Sequence, residues 1–181
     1  MPRDSERILT EWLVLNALSG KTLALDQLFR IWYPKFLRYA TRQLDDQEAA
    51  RDVVQDALIT MARSIRKLRD PAAFPRWAYQ ILHRRGIDYL RKAIRRRERE
   101  VDTDDMDVPL GDRINEDETS RNVMDALNQL DTLNYSLLHL RYLHGFSVKE
   151  IATICDIPEG TAKSRLHAAR GKIRELLEED L

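Results

Sequence analysis

Near the end of the chain, Lys163, Ser164, Arg165, His167, Arg170 and Lys172 occupy positions that a helix turns outward. Between them, Ala162, Leu166, Ala169 and Ile173 recur at the spacing of a buried stripe. This set of side chains breaks no bonds; its chemistry is recognition. Lys and Arg attract phosphate, while Ser, His and Lys reach base edges. A short helix should precede it, capped by Ser147 with Glu150 three positions later in a capping box. Ile151, Ala152 and Ile154 would bury that helix, and the turn Cys155-Asp156-Ile157-Pro158 would end it. Glu159-Gly160-Thr161 then opens the second helix. The pattern is that of a helix-turn-helix whose second helix offers cations from its first turns. An ordinary helical hairpin with a solvated charged face fits the spacing too.

A second concentration lies upstream. Arg84, Arg85, Arg91, Lys92, Arg95, Arg96 and Arg97 place seven cations within fourteen residues, with Asp88 as the acid among them. At about 3.6 residues per turn they cover more than one helix face, more than a helix end needs to offset its dipole. Nucleic acid is the partner that such a run fits. A third set, Asp52 and Asp56 with Gln55, places two like charges at i,i+4, mildly unfavourable without a basic partner, and so points to an interface.

The elements that must carry these residues are helical throughout. Leu9, Trp12, Leu13, Leu15 and Leu18 line a first helix ending near Gly20. Leu25, Leu28, Phe29, Trp32, Phe36, Leu37 and Ala40 continue in a second, with a kink expected at Pro34. Asp45-Asp46 caps a third, whose apolar stripe is Val53, Val54, Ala57, Leu58, Met61 and Ile65. Pro71 and Pro75 bracket a loop. A fourth helix runs from about Arg76 to Arg97 with Trp77, Ile81, Ile87 and Leu90 inward. Further helices are expected near 119–130, 135–143, 148–154 and 159–178.

Charge divides the chain more sharply than its sum of zero implies. Residues 1–97 hold 20 Lys/Arg and 11 Asp/Glu, residues 98–118 hold 2 and 10, and residues 119–181 hold 8 and 9. The acidic strip contains Pro109 and Gly111 and few large apolar residues, so it reads as a linker between two all-helical modules, 1–97 and 119–181. One cysteine, Cys155, excludes an internal disulfide, and four scattered histidines give no metal-ligand spacing. No carboxylate cluster or nucleophile–base pair suggests an enzyme, and no cofactor is implied. With no run of about 18 apolar residues and no leader-like start, a soluble cytoplasmic protein without membrane insertion is expected.

The run Leu140-Arg141-Tyr142-Leu143-His144-Gly145-Phe146-Ser147-Val148-Lys149-Glu150-Ile151-Ala152, followed by Gly160-Thr161-Ala162-Lys163-Ser164-Arg165-Leu166-His167-Ala168-Ala169-Arg170, resembles region 4 of bacterial sigma factors. Phe74-Pro75-Arg76-Trp77 through Ile87-Asp88-Tyr89-Leu90-Arg91-Lys92 resembles regions 2.3 and 2.4. Ala50-Arg51-Asp52-Val53-Val54-Gln55-Asp56 resembles region 2.2. The order of the modules is that of the extracytoplasmic-function (group IV) branch. The resemblance implies a factor that gives core RNA polymerase its promoter specificity. It implies −35 contacts from Thr161, Lys163, Ser164, Arg165, His167 and Arg170, and −10 contacts from Arg69, Asp70, Arg76, Arg84, Arg85, Asp88, Arg91 and Lys92. It also implies docking of Asp52, Gln55 and Asp56 on the β′ clamp helices, with region 4 on the β flap. The loop Arg69-Asp70-Pro71-Ala72-Ala73 is where the family captures a flipped −10 base. An anti-sigma factor is a further implied partner, and the alternative is a sigma-like decoy that binds one without reading promoters. Departures from the family pattern are Ala162 for Val, Ala168 for a frequent Arg, His83-Arg84 for Arg-Asn, Gly86 for Ala, and Ala49 and Arg51 for two acids. The family's PxxxR ahead of the helix-turn-helix is also absent.

Overall fold

The computed structural model describes the backbone of residues 2–99 and 130–179. The expected linker beyond residue 99 and the expected helix at 119–130 lie outside them, apart from Leu130. The chain divides into two compact units, Met1–Thr103 and Asp104–Leu181. No strand occurs among the described residues.

The first unit holds α1 (Pro2–Leu18), α2 (Thr22–Leu44), α3 (Gln47–Ser64) and α4 (Phe74–Arg99), with 3-10 turns at Ile65–Lys67 and Pro71–Ala73. Helix α2 ends where Asp45 adopts φ 52°, a left-handed conformation that Asp tolerates. The next residue, Asp46, starts α3: its carboxylate accepts from the backbone N–H of Glu48 and Ala49 at 2.8 and 3.1 Å, two of the donors a helix start leaves unpaired. Helix α2 runs unbroken through Pro34.

At the centre of this unit lies an aromatic cluster. Tyr79 meets Trp32, Phe36 and Tyr39 edge-on at centroid distances of 6.3, 5.4 and 5.3 Å, and Phe74 meets Trp32 at 5.5 Å. These T-shaped pairs set positive ring edges against negative faces. Beside them is a buried polar group: the Tyr39 hydroxyl lies 2.8 Å from His83 Nδ1, and Gln43 Nε2 lies 3.2 Å from the same nitrogen. Gln43 Nε2 also donates to the His83 carbonyl at 3.3 Å.

Two apolar faces differ from expectation. In α1 the buried residues are Thr10, Leu13, Val14 and Ala17, whereas Leu9, Trp12 and Leu15 are exposed together with Ile8. On the inward side Thr10 Oγ1 receives the indole N–H of Trp32 at 3.2 Å, a buried contact that this rotation of α1 on α2 allows. In α4 the fully buried residues are Phe74, Ala78, Tyr79, Leu82 and His83, with Gly86 on the same side; Trp77, Ile81, Ile87 and Leu90 are half-buried. This helix also starts two residues earlier than expected. Pro75 falls in its first turn, where the missing N–H has no helical partner to lose.

The second unit holds α5 (Thr132–Leu138), a π-helical turn (His139–Leu143), α6 (Val148–Cys155) and α7 (Glu159–Glu179). Asp131 caps α5 by accepting from the Asn134 N–H at 2.9 Å. Tyr135, Leu138 and Leu140 are buried, so the packing expected of this stretch holds without the family's proline.

Candidate nucleic-acid interface

The helix-turn-helix is built by local rules. Ser147 Oγ accepts from the Glu150 N–H at 3.3 Å, and the Glu150 carboxylate accepts from the Ser147 N–H at 2.9 Å, which completes the capping box of α6. Asp156, at φ 53°, ends α6 with its N–H on the Ala152 carbonyl. Pro158 then offers its carbonyl to Ala162 at 3.0 Å in the first turn of α7. Arg141 Nη1 donates to the Phe146 carbonyl at 2.8 Å and ties the π turn to the strap before α6.

Along α7, Ala162, Leu166 and Ala169 are buried and Ile173 is half-buried. Opposite them, Lys163, Ser164, His167, Arg170 and Lys172 are exposed, with Thr161 and Arg165 half-buried at the margin. Ser164 Oγ donates to the Thr161 carbonyl at 3.1 Å, which commits its proton and leaves its lone pairs to accept. Arg170 Nε donates to the Leu166 carbonyl at 3.3 Å, so that guanidinium lies back along the helix. All six expected contact residues are thus brought onto one helix, outward or at its edge. Cys155, the last residue of α6, is buried, and burial pushes its thiol up to about 12, which favours the protonated form at neutral pH.

In the first unit, Arg76, Arg84, Arg85, Arg91, Lys92, Arg95 and Arg96 are exposed along α4, and Asp88 is half-buried with Arg91 Nη1 at 4.0 Å. Arg69 and Asp70 are exposed at the loop before α4. The Asp70 carboxylate accepts from the Ala72 N–H at 3.0 Å and shapes the 3-10 turn that leads into the helix. Arg85 differs from its neighbours, since its Nη2 donates to Thr60 Oγ1 on α3 at 2.8 Å.

On α3, Asp52, Gln55 and Asp56 are exposed on one face. Ile59, which sequence reading did not single out, follows them at i+7, i+4 and i+3 and is 42% exposed on the same face. It stands outside the apolar stripe of α3, and its place on the acidic face was the available signal. Ala49, which stands for one of the family's acids, is buried, while Arg51 is exposed beside the face.

Comparison with known proteins agrees with this arrangement. Sigma-70 region 2 matches residues 28–97, and Sigma-70 region 4 matches residues 120–173. The ECF RNA polymerase sigma factor SigM of Mycobacterium tuberculosis (strain Erdman) is 30% identical over 95% of this chain and 86% of its own length. The ECF sigma factor SigL of the same organism is 33% identical over 90% of this chain and 96% of its own. Among solved structures, the sigma factor RpoE of Bartonella quintana, in complex with the anti-sigma factor NepR, superposes with a TM-score of 0.72 at 24% identity, over 86% of this chain and 98% of that one. CnrH, in complex with the cytosolic domain of CnrY, gives 0.64 at 23% identity, over 96% and 99%. A unit matching region 2 followed by a unit with a helix-turn-helix matching region 4 places the chain in the class of promoter-recognising transcription factors. The chain belongs to the sigma-70 family, in its extracytoplasmic-function branch. Its function is that of an RNA polymerase sigma factor, which binds core polymerase and directs promoter-specific initiation of transcription.

Among the described residues, no three or more His, Cys, Asp or Glu are grouped to hold a metal, and no helix is long and apolar enough to cross a membrane.

Proposed function

We propose that α7 reads the −35 element through Lys163, Ser164 and His167 at base edges, with Thr161, Arg165 and Arg170 on the backbone. The −10 element is read by the loop at Arg69 and Asp70 and by Arg76, Arg84, Arg85, Asp88, Arg91 and Lys92 along α4. Core polymerase docks on Asp52, Gln55, Asp56 and Ile59 through its β′ clamp helices, and its β flap takes the second unit. In this reading residues 1–97 form the −10 and docking module, 98–118 an acidic linker, and 119–181 the −35 module. The protein works in the cytoplasm, catalyses nothing itself and needs no cofactor or metal. An anti-sigma factor as regulator is supported by the Bartonella quintana relative named above, which was solved in complex with one.

The observation that carries the reading is the division of α7, with small apolar residues buried on one side and cations exposed on the other. A structural helix needs no such row of Lys, His and Arg. Transcription in vitro from a promoter library, with core polymerase alone and with this protein added, tests it. Initiation from a shared pair of elements that depends on Lys163 and Arg84 is expected. Core binding without initiation from any promoter would favour the decoy.

A further inference from the structure

We infer that Thr60 is a positioning residue for promoter recognition, holding the Arg85 guanidinium at the seam between the polymerase-docking helix and the basic helix. The inference rests on the proposed −10 role of Arg85. Thr60 Oγ1 donates its proton to the Asp56 carbonyl at 2.8 Å, one turn back along α3. Its lone pairs are therefore what faces the incoming Arg85 Nη2, also at 2.8 Å. Arg85, Thr60 and Asp56 form one continuous hydrogen-bonded chain, directed from donor to acceptor at each link.

An arginine side chain is long and flexible, and fixing one in a single geometry carries a large rotamer entropy cost. Thr60 meets part of that cost in the free protein. A guanidinium has five N–H donors, and this tether uses Nη2, leaving donors on Nε and Nη1 in a defined plane for a phosphate or a base edge. The anchor also stands on the helix that carries Asp52, Gln55, Asp56 and Ile59, and its carbonyl acceptor belongs to Asp56 itself. Docking that face on polymerase fixes the element to which the DNA-reading arginine is fastened. Thr60 thereby links the two interfaces without touching either partner.

Open-complex formation on a −10-dependent promoter, with the full chain and core polymerase, tests this on Thr60→Val, Thr60→Ser, Arg85→Ala and the double variant Thr60→Val/Arg85→Ala. Valine keeps the shape and removes the acceptor; serine restores it. Thr60→Val should lower the equilibrium constant about fivefold, the equivalent of one hydrogen bond of ~1 kcal/mol. Thr60→Ser should stay near wild type, and the double variant should be no worse than Arg85→Ala. Affinity for core polymerase and for −35 duplex should not move, and the variants should stay fully folded under the assay conditions, with the midpoint of unfolding lowered only by the loss of two exposed hydrogen bonds. Wild-type behaviour of Thr60→Val beside an impaired Arg85→Ala overturns the inference. So does a double variant weaker than Arg85→Ala by the full fivefold, or a Thr60→Val loss traced to core affinity. An Arg85→Ala variant with no effect would instead remove the −10 role of Arg85 on which the inference stands.

Discussion

Replacing Gly86 by Ala should destabilise the first unit, against what helix propensity alone dictates. Gly86 lies inside α4, where Ala is favoured by roughly 1 kcal/mol. A Cβ at this position would meet Gln43 Oε1 at 2.2 Å, Cδ at 2.6 Å and Nε2 at 2.9 Å. The obstacle is the end of a side chain, so it can rotate away, but Gln43 is 2% exposed and has nowhere wet to go. Rotation breaks both of its hydrogen bonds to His83, at about 1 kcal/mol net each, and overpacking adds about 1–3 kcal/mol. Set against the propensity gain, Gly86→Ala should lose about 2–4 kcal/mol. In a Gln43→Ala background the clash disappears, and the same substitution should become stabilising by roughly 1 kcal/mol. The coupling of about 3–5 kcal/mol lies far above the ~0.5 kcal/mol within which independent sites add. Urea titrations followed by tryptophan fluorescence isolate the relevant unit, because Trp12, Trp32 and Trp77, the three tryptophans of the chain, all belong to it. Equal effects of Gly86→Ala in both backgrounds would refute the packing argument.

Ser147→Ala removes the Oγ acceptor of the capping box and should destabilise the second unit by about 1 kcal/mol, measured by calorimetry of the full chain. Lys163→Ala should weaken −35 duplex binding and relax base preference at one position of the element; a uniform weakening across sequences with the slope of log affinity against log salt reduced by about 1 would place Lys163 on phosphate instead. Ile59→Ala should weaken binding to core polymerase by about 1–2 kcal/mol while leaving unfolding nearly unchanged, since the side chain is exposed in the free protein. Cys155, with its pKa raised by burial to about 12, should resist alkylation at pH 8 in the native protein and react once urea unfolds the second unit. The sign follows from the direction of the shift: the thiolate that reacts is populated only well above pH 8 while the turn stays folded.

The helix-turn-helix was legible because its determinants are local. Ser147 and Glu150 lie three residues apart, and Ala162, Leu166 and Ala169 mark the buried side of α7 unaided. In α1 the periodicity identified a helix but not its buried face. Ile8, Leu9, Trp12, Leu13, Val14, Leu15 and Ala17 nearly surround it, and the inward face is the one that makes the Thr10–Trp32 contact across 22 residues of sequence. Helix α4 has the same ambiguity: Trp77 and Tyr79 are both aromatic, yet Tyr79 is fully buried among Trp32, Phe36 and Tyr39, while Trp77 is half-buried at the edge of the cluster beside Phe74. The cations of α4 could be read as exposed, because a run so dense cannot be buried. What no linear pattern revealed was that Arg85 reaches Thr60, or that His83 is shared by Tyr39 and Gln43. Those pairs are set by the packing of α2 and α3 against α4.

The π-helical turn at His139–Leu143 has a consequence for how this sequence lines up with others. Its hydrogen bonds skip five residues where an α-helix skips four, so the turn absorbs one residue in excess of a regular helix. With that surplus confined there, Leu140 stays buried and Ser147 still meets Glu150. A homologue shorter by one residue at this point should keep the same helix-turn-helix with an ordinary α turn in its place. Any alignment that forbids a gap between 139 and 143 would then shift every position on one side of it by one.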